Sequence, residues 1–199
     1  PRTRRTPADM DAALFARIVD EVKPLTDKVY LHVMGEPLMH PDFTHFIQIC
    51  ADKGLPVAIT TNGTMLNTDS AKALLDPIVH RINFSLDALL PRELLDDSND
   101  NGTLGKILAF TRLAFEQRPD LYIYFRLWNL AFSSERLDSD MNRQICRRIE
   151  DTFGIAIPSH GHSSGRKSRQ LLNRLYLHTD TRFTWPGEGE SPLQNTSGF

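Results

Sequence analysis

Val29-Tyr30-Leu31-His32-Val33-Met34-Gly35-Glu36-Pro37 reads as a strand that runs into a turn. Val29, Leu31 and Val33 alternate with Tyr30, His32, Met34 and Glu36, so one face is apolar and the other carries polar groups toward the carboxyl end. The flanks decide what kind of sheet this strand joins. Upstream, Thr6-Pro7-Ala8-Asp9 offers an N-cap, a first-turn proline and an acid suited to the helix dipole. Leu14, Ile18 and Val22, with Phe15 beside them, then recur at helical spacing until Pro24. Downstream, Pro41 can open a helix carrying Phe43, Phe46, Ile47 and Cys50 on one face, which Gly54 can close.

The same unit repeats along the chain. Pro56 to Thr61 is a strand ended by Asn62-Gly63, and Asn67 or Thr68 caps a helix that Pro77 stops. Arg81 to Leu86 is a strand, and Asp96 to Gly102 a polar loop without the terminal glutamate of a calcium-binding loop. A helix from Thr103 to Gln117, a strand from Leu121 to Leu127, a helix from Asp138 to Phe153 and a short strand Ile155-Ala156-Ile157 follow. Strands alternating with helices predict an α/β fold with a parallel sheet, open or rolled into a barrel. From His160 onward the chain is rich in Gly, Ser and Arg, and regularity is expected to stop. The spacing thus divides the chain into a core over 1–158 and an irregular segment over 159–199.

Each strand carries polar residues of one parity. Asn83, Ser85 and Asp87 alternate with Ile82, Phe84 and Leu86; Tyr122, Tyr124 and Arg126 alternate with Ile123, Phe125 and Leu127. The apolar parity can pack under helices, which leaves the polar parity for the lumen. Ligands of such folds bind beyond the carboxyl ends of the strands. Four strand ends delivering Glu, Asn, Asp and Arg therefore predict one shared site. The plainer alternative is that these residues are caps and turn formers.

Other features are weaker. The net charge of −2 gives no electrostatic case for nucleic acid, and no apolar run reaches the length of a bilayer span. Cys50 and Cys146 lie in helical patterns and read as buried side chains rather than ligands. His160 and His162 lack a predictable third metal ligand, and Arg166 to Arg169 reads as a solvated basic run. His40, beside Pro41, is placed to hydrogen-bond its turn. Tyr122, Tyr124 and Trp128 either flank a substrate or fill the barrel.

At Gly35-Glu36-Pro37, at Thr60-Thr61-Asn62-Gly63 and at Asn83-Phe84-Ser85-Leu86-Asp87 the chain resembles the radical S-adenosylmethionine enzymes, in order and spacing from about Met10 to Phe153. The resemblance implies a partial parallel (β/α)6-type barrel that uses S-adenosylmethionine and a [4Fe–4S] cluster to make a 5′-deoxyadenosyl radical. Met34, Gly35 and Glu36 would edge the cofactor's methionine amino group, with Met34 standing where the family usually has glycine. Ser85 and Asp87 would approach its ribose, Arg126 would pair with its carboxylate, and Thr61 and Asn62 would line the floor. The cluster's Cys-x-x-x-Cys-x-x-Cys loop is absent from the sequence. The expectation is therefore a chain that lacks the first strand and this loop, has its cluster ligands elsewhere and is inactive alone.

His178 to Pro186 resembles the segment before the cysteine-rich extension of the SPASM-type subgroup. That likeness implies a peptide or protein substrate. Membership of the wider family implies a reductant such as flavodoxin or ferredoxin, and the expected setting is cytoplasmic, without nucleic-acid or membrane partners. The competing readings are a catalytically silent barrel that binds a small molecule or partner, and a metal-dependent hydrolase or aldolase, for which no strand end supplies ligands or a lysine.

Overall fold

The computed structural model describes residues 8–32, 35–88, 102–130, 140–158 and 168–181. Helix α1 (Ala12–Val22) is capped by Asp11, whose carboxylate accepts from Leu14 N at 2.7 Å. The start expected at Thr6-Pro7-Ala8-Asp9 thus shifts: Ala8 and Asp9 are not helical, Thr6 and Pro7 lie outside the described residues, and the next acid along takes the cap. Strand β1 (Val29–Leu31) leads through a 3-10 turn, Pro37–Met39, into α2 (Phe43–Asp52). Then come β2 (Val57–Thr61), α3 (Thr68–Leu74), β3 (Val79–Ser85) and α4 (Thr103–Gln117). Strand β4 (Tyr122–Leu130), α5 (Asp140–Phe153), β5 (Ser168–Leu172) and β6 (Leu175–Thr181) complete the described chain. Asn67 caps α3 in a reciprocal box with Ser70.

The sheet has six strands in the order β1-β2-β3-β4-β6-β5, all parallel except the β5–β6 pair. This is the α/β fold with a parallel sheet that the alternation of elements predicts, in the form of a partial barrel. Ile59, Ile82, Phe84, Ile123, Phe125, Leu127 and Leu175 have no or almost no exposed surface. They pack with Ile47 and Cys50 of α2, Leu74 of α3, Ile107 and Ala114 of α4, and Ile145 and Ile149 of α5. The apolar parity of the strands therefore forms the core on the helix side, and the polar parity is left facing the lumen.

Two expectations at the carboxyl end are corrected. Ile155–Ile157 is not a strand; its chain is tied back to Glu150, whose carboxylate accepts from Ile157 N at 2.6 Å. The place beside β4 belongs to β6. Regularity also does not stop at 159: residues 168–181 are a hairpin of the main sheet, turning at Asn173 in the left-handed region (φ 47). Asn tolerates that conformation because its short amide bonds locally. Residues 96–101, His160, His162, Arg166 and 182–186 lie outside the described residues.

Candidate functional site

Residues paired across a parallel ladder share a face. Thr60, Asn83, Tyr124 and Tyr176 form one such row, and Ser85, Arg126 and His178 the next row toward the carboxyl ends. Arg81, beside Tyr122, lies one layer below. The rows are stiffened by aromatic contact: Tyr124 and Tyr176 stack at 4.9 Å, and the Arg81 guanidinium lies over the Tyr124 ring at 3.9 Å. Among the expected site residues, the sheet thus brings Ser85 and Arg126 side by side, with Asp87 in the 3-10 turn (Leu86–Ala88) directly after β3.

Arg126 and Asp87 are half-buried neighbours. Burial pushes the Arg126 guanidinium down to about 10, assisted by the like charge of Arg81 and opposed by Asp87; it remains cationic at neutral pH. Burial holds the Asp87 carboxyl above its ordinary range, against the pull of backbone N–H groups, including that of Trp128, and of Arg126. Arg126 stacks over the Trp128 ring at 4.5 Å, and Trp128 meets His178 edge-on at 5.4 Å. Among the described residues, Arg126 Nε and Trp128 Nε1 are donors buried at this level without an acceptor. Buried donors are almost always paired in folded proteins, so this pair points to a ligand that brings acceptor oxygens. A guanidinium with a free edge suits a carboxylate, and a half-buried carboxyl suits a hydroxyl pair. These residues fit S-adenosylmethionine.

The other expected residues serve differently. Glu36 caps the turn after β1, accepting from Leu38 N at 3.1 Å, and also accepts from Thr61 Oγ1 at 2.5 Å and Asn62 N at 2.7 Å. Its carboxylate thereby joins the ends of β1 and β2. Thr61 lies on the helix side, 1% exposed, so any contact it makes at the lumen floor runs through its backbone. The Asn62 side chain accepts from Thr64 N and Thr64 Oγ1 in its own turn. Gly35 is exposed at φ 91, with open space around its α-carbon, and Met34 lies outside the described residues. A cleft of about 480 Å3 beside this turn is lined by Met10, His32, Gly35, Glu36 and His40 among others. His40 donates from Nε2 to Met10 O and accepts at Nδ1 from Asp42 N, both at 3.0 Å. Its ring is thus a tie between the start of the chain and the turn.

Asn83 is on the parity that the sequence assigns to the lumen, whereas Thr60 and Arg81 also belong to the lumen face without being singled out from the sequence. The register shows why: Thr60, not Thr61, pairs with Asn83, and parity near a strand end depends on a pairing that the sequence does not print.

Among the described residues no three His, Cys, Asp or Glu side chains group to hold a metal. Cys50 and Cys146 are buried on the helix side, their thiols pushed up by burial to about 11 and about 12. Neither thiol fits as a ligand of an iron–sulfur cluster. No described helix is long and apolar enough to cross a membrane.

The chain is 34% identical over 103 residues to a tungsten-containing aldehyde ferredoxin oxidoreductase cofactor-modifying protein of Pyrococcus furiosus, which covers 51% of this chain and 27% of that protein. It is 33% identical over 69 residues to an AdoMet-dependent heme synthase of Methanosarcina barkeri, covering 35% of this chain and 20% of that protein. The chain thus spans well under half the length of either relative. No solved structure matches it significantly. The pattern of the radical SAM superfamily matches residues 1–129, more than half of the chain, and the chain belongs to that superfamily.

Proposed function

We propose that the chain holds S-adenosylmethionine at its strand ends for an enzyme that cleaves the cofactor reductively and modifies a peptide or protein substrate, fed by a reductant such as flavodoxin or ferredoxin. The observation that carries this reading is the buried, acceptor-less Nε of Arg126 beside Asp87, at the carboxyl end of a parallel sheet. When bound, S-adenosylmethionine would supply the family's radical chemistry, with the ligands of any cluster lying outside the described residues. Arg126 offers the free edge of its guanidinium to the methionine carboxylate. Asp87 accepts from ribose hydroxyls, with Ser85 beside Arg126 in the same row. Glu36 keeps the two strand ends together, so that the Gly35 backbone stands at the rim.

One relative is named for modifying a cofactor and the other for AdoMet-dependent heme synthesis. The two differ in product, so neither is carried over as a substrate. The peptide reading and the SPASM-type extension rest on the likeness of His178 to Pro186.

Anaerobic equilibrium titration with S-adenosylmethionine tests the site. Asp87→Asn keeps the shape and removes one acceptor charge, and is expected to weaken binding roughly 2- to 10-fold. Unchanged affinity in both Asp87→Asn and Arg126→Met would leave the silent-barrel reading in its place.

A further inference from the structure

Below the Arg126–Asp87 level lies a second set of donors that the cofactor reading does not use. Asn83 is 2% exposed and fully engaged: its Nδ2 donates to Ile59 O and to Thr60 Oγ1, both at 3.1 Å, and its Oδ1 accepts from Arg81 Nε at 3.0 Å. That orientation of the amide is forced, because a carbonyl cannot donate and a guanidinium cannot accept. Thr60 Oγ1 therefore accepts from Asn83 and, through a long 3.5 Å contact, from Arg126 Nη1, which leaves its one proton to be donated. Arg81 is held flat on Tyr124 with its Nε taken, and its two terminal nitrogens have no acceptor among the described residues. Neither Arg81 nor Arg126 forms an ion pair with a described carboxylate. Among the described residues the two guanidinium groups are thus linked by neutral side chains, Asn83 and Thr60, and the spare capacity of Arg81 and of the Thr60 hydroxyl is to donate, while Asp87 opposes Arg126 one level above. Such a spot is complementary to an anion.

We propose that the lumen floor between Arg81 and Thr60 binds a carboxylate of the substrate, on the reading above that the strand ends hold S-adenosylmethionine. Asn83 is a positioning residue: it fixes Arg81 Nε and turns the Thr60 hydroxyl proton outward. The carboxylate belongs either to an acidic side chain of a peptide or to a free organic acid, since both present the same two oxygens.

Ligand-observed NMR on the 199-residue protein distinguishes these. The probes are N-acetylglutamate N-methylamide with its glutamine isostere, and benzoate with benzamide. At least one charged probe is expected to bind tenfold or more tighter than its neutral partner, the tighter one assigning the source. Arg81→Met should abolish the difference, and saturating S-adenosylmethionine should not displace the probe. Equal binding of charged and neutral probes, survival of the difference in Arg81→Met, or displacement by S-adenosylmethionine would overturn the proposal. Circular dichroism checks folding. If Arg81→Met does not fold, Arg81→Lys and Thr60→Val decide instead, each expected to weaken the charged probe several-fold, and unchanged affinity in both would overturn it. Loss of S-adenosylmethionine binding with the charge preference intact would sink only the cofactor reading.

Discussion

Asp87 shows at the scale of one residue how a binding site is set against the fold that carries it. Burial raises its carboxyl above the ordinary range, so the folded chain binds that proton more tightly than the unfolded chain. The contribution to stability is full below the unfolded value and is lost as pH rises through the folded one. Asp87→Asn is therefore expected to leave the melting temperature at pH 7 unchanged or higher, and to flatten its decline across that window, while weakening the cofactor. Thermal melts between pH 3 and 7, set beside the titration, check both halves; a sharply lower melting temperature with unchanged affinity would make Asp87 a structural residue. The shared face of Ser85 and Arg126 was legible in the sequence because each lies in an uninterrupted alternation, whereas Asp87 stands just beyond it in the 3-10 turn. The role of Glu36 was only half legible. Gly-Glu-Pro marks a turn, but the bonds from Thr61 Oγ1 and Asn62 N come from a residue pair 25 positions away, and long-range partners leave no trace in local pattern.

Elements were legible where local chemistry and tertiary packing agree. Helix α4 spans Thr103–Gln117, the range its spacing predicts, because its apolar stripe faces one sheet throughout. The β5–β6 hairpin was missed because its turn reads Asn-Arg rather than Asn-Gly, the stronger signal for a two-residue loop. The Ile155–Ile157 alternation was misleading because a strand needs a free neighbour as well as a pattern. Gly63, which ends β2, is a position where the backbone leaves no choice: φ is 75, and an added Cβ would lie 2.6 Å from Ile107 Cδ1 and 2.8 Å from Cγ1. Gly63→Ala should destabilise by about 1–3 kcal/mol through overpacking alone, read from denaturant midpoints at constant m. A variant as stable as wild type would mean that α4 yields easily. Arg118 clips the end of α4 to the loop between α3 and β3, donating to the carbonyls of Leu75, Asp76 and Val79 and pairing with Asp120 at 2.9 Å. The ion pair with the exposed Asp120 adds little, whereas the abandoned carbonyls should make Arg118→Ala cost about 1–3 kcal/mol. Asp120→Asn should cost far less, and parity between the two variants would reverse that ranking.

Across the whole molecule, one periodicity does two jobs. The apolar parity of each strand builds a core against the helices, and the polar parity builds a lumen whose depth is graded, from Arg81 and Tyr122 at the floor to Arg126, Trp128 and Asp87 at the mouth. The fold class was readable from alternation alone, since strands and helices at this pitch leave few topologies. The floor was only half readable: Asn83 and Tyr124 follow from alternation, but Thr60 and Arg81 join them only once register sets Thr60 against Asn83. The central claim is that the unpaired donors at the mouth await the carboxylate of S-adenosylmethionine. Its most direct test is the Arg126 Nε–H resonance of 15N-labelled protein, assigned with Arg126→Met and followed through an anaerobic titration with that cofactor. A saturating downfield shift of Arg126 Nε–H, absent with the decarboxylated cofactor, is the predicted result. Saturable binding that leaves the resonance in place, and that survives Arg126→Met, would contradict it.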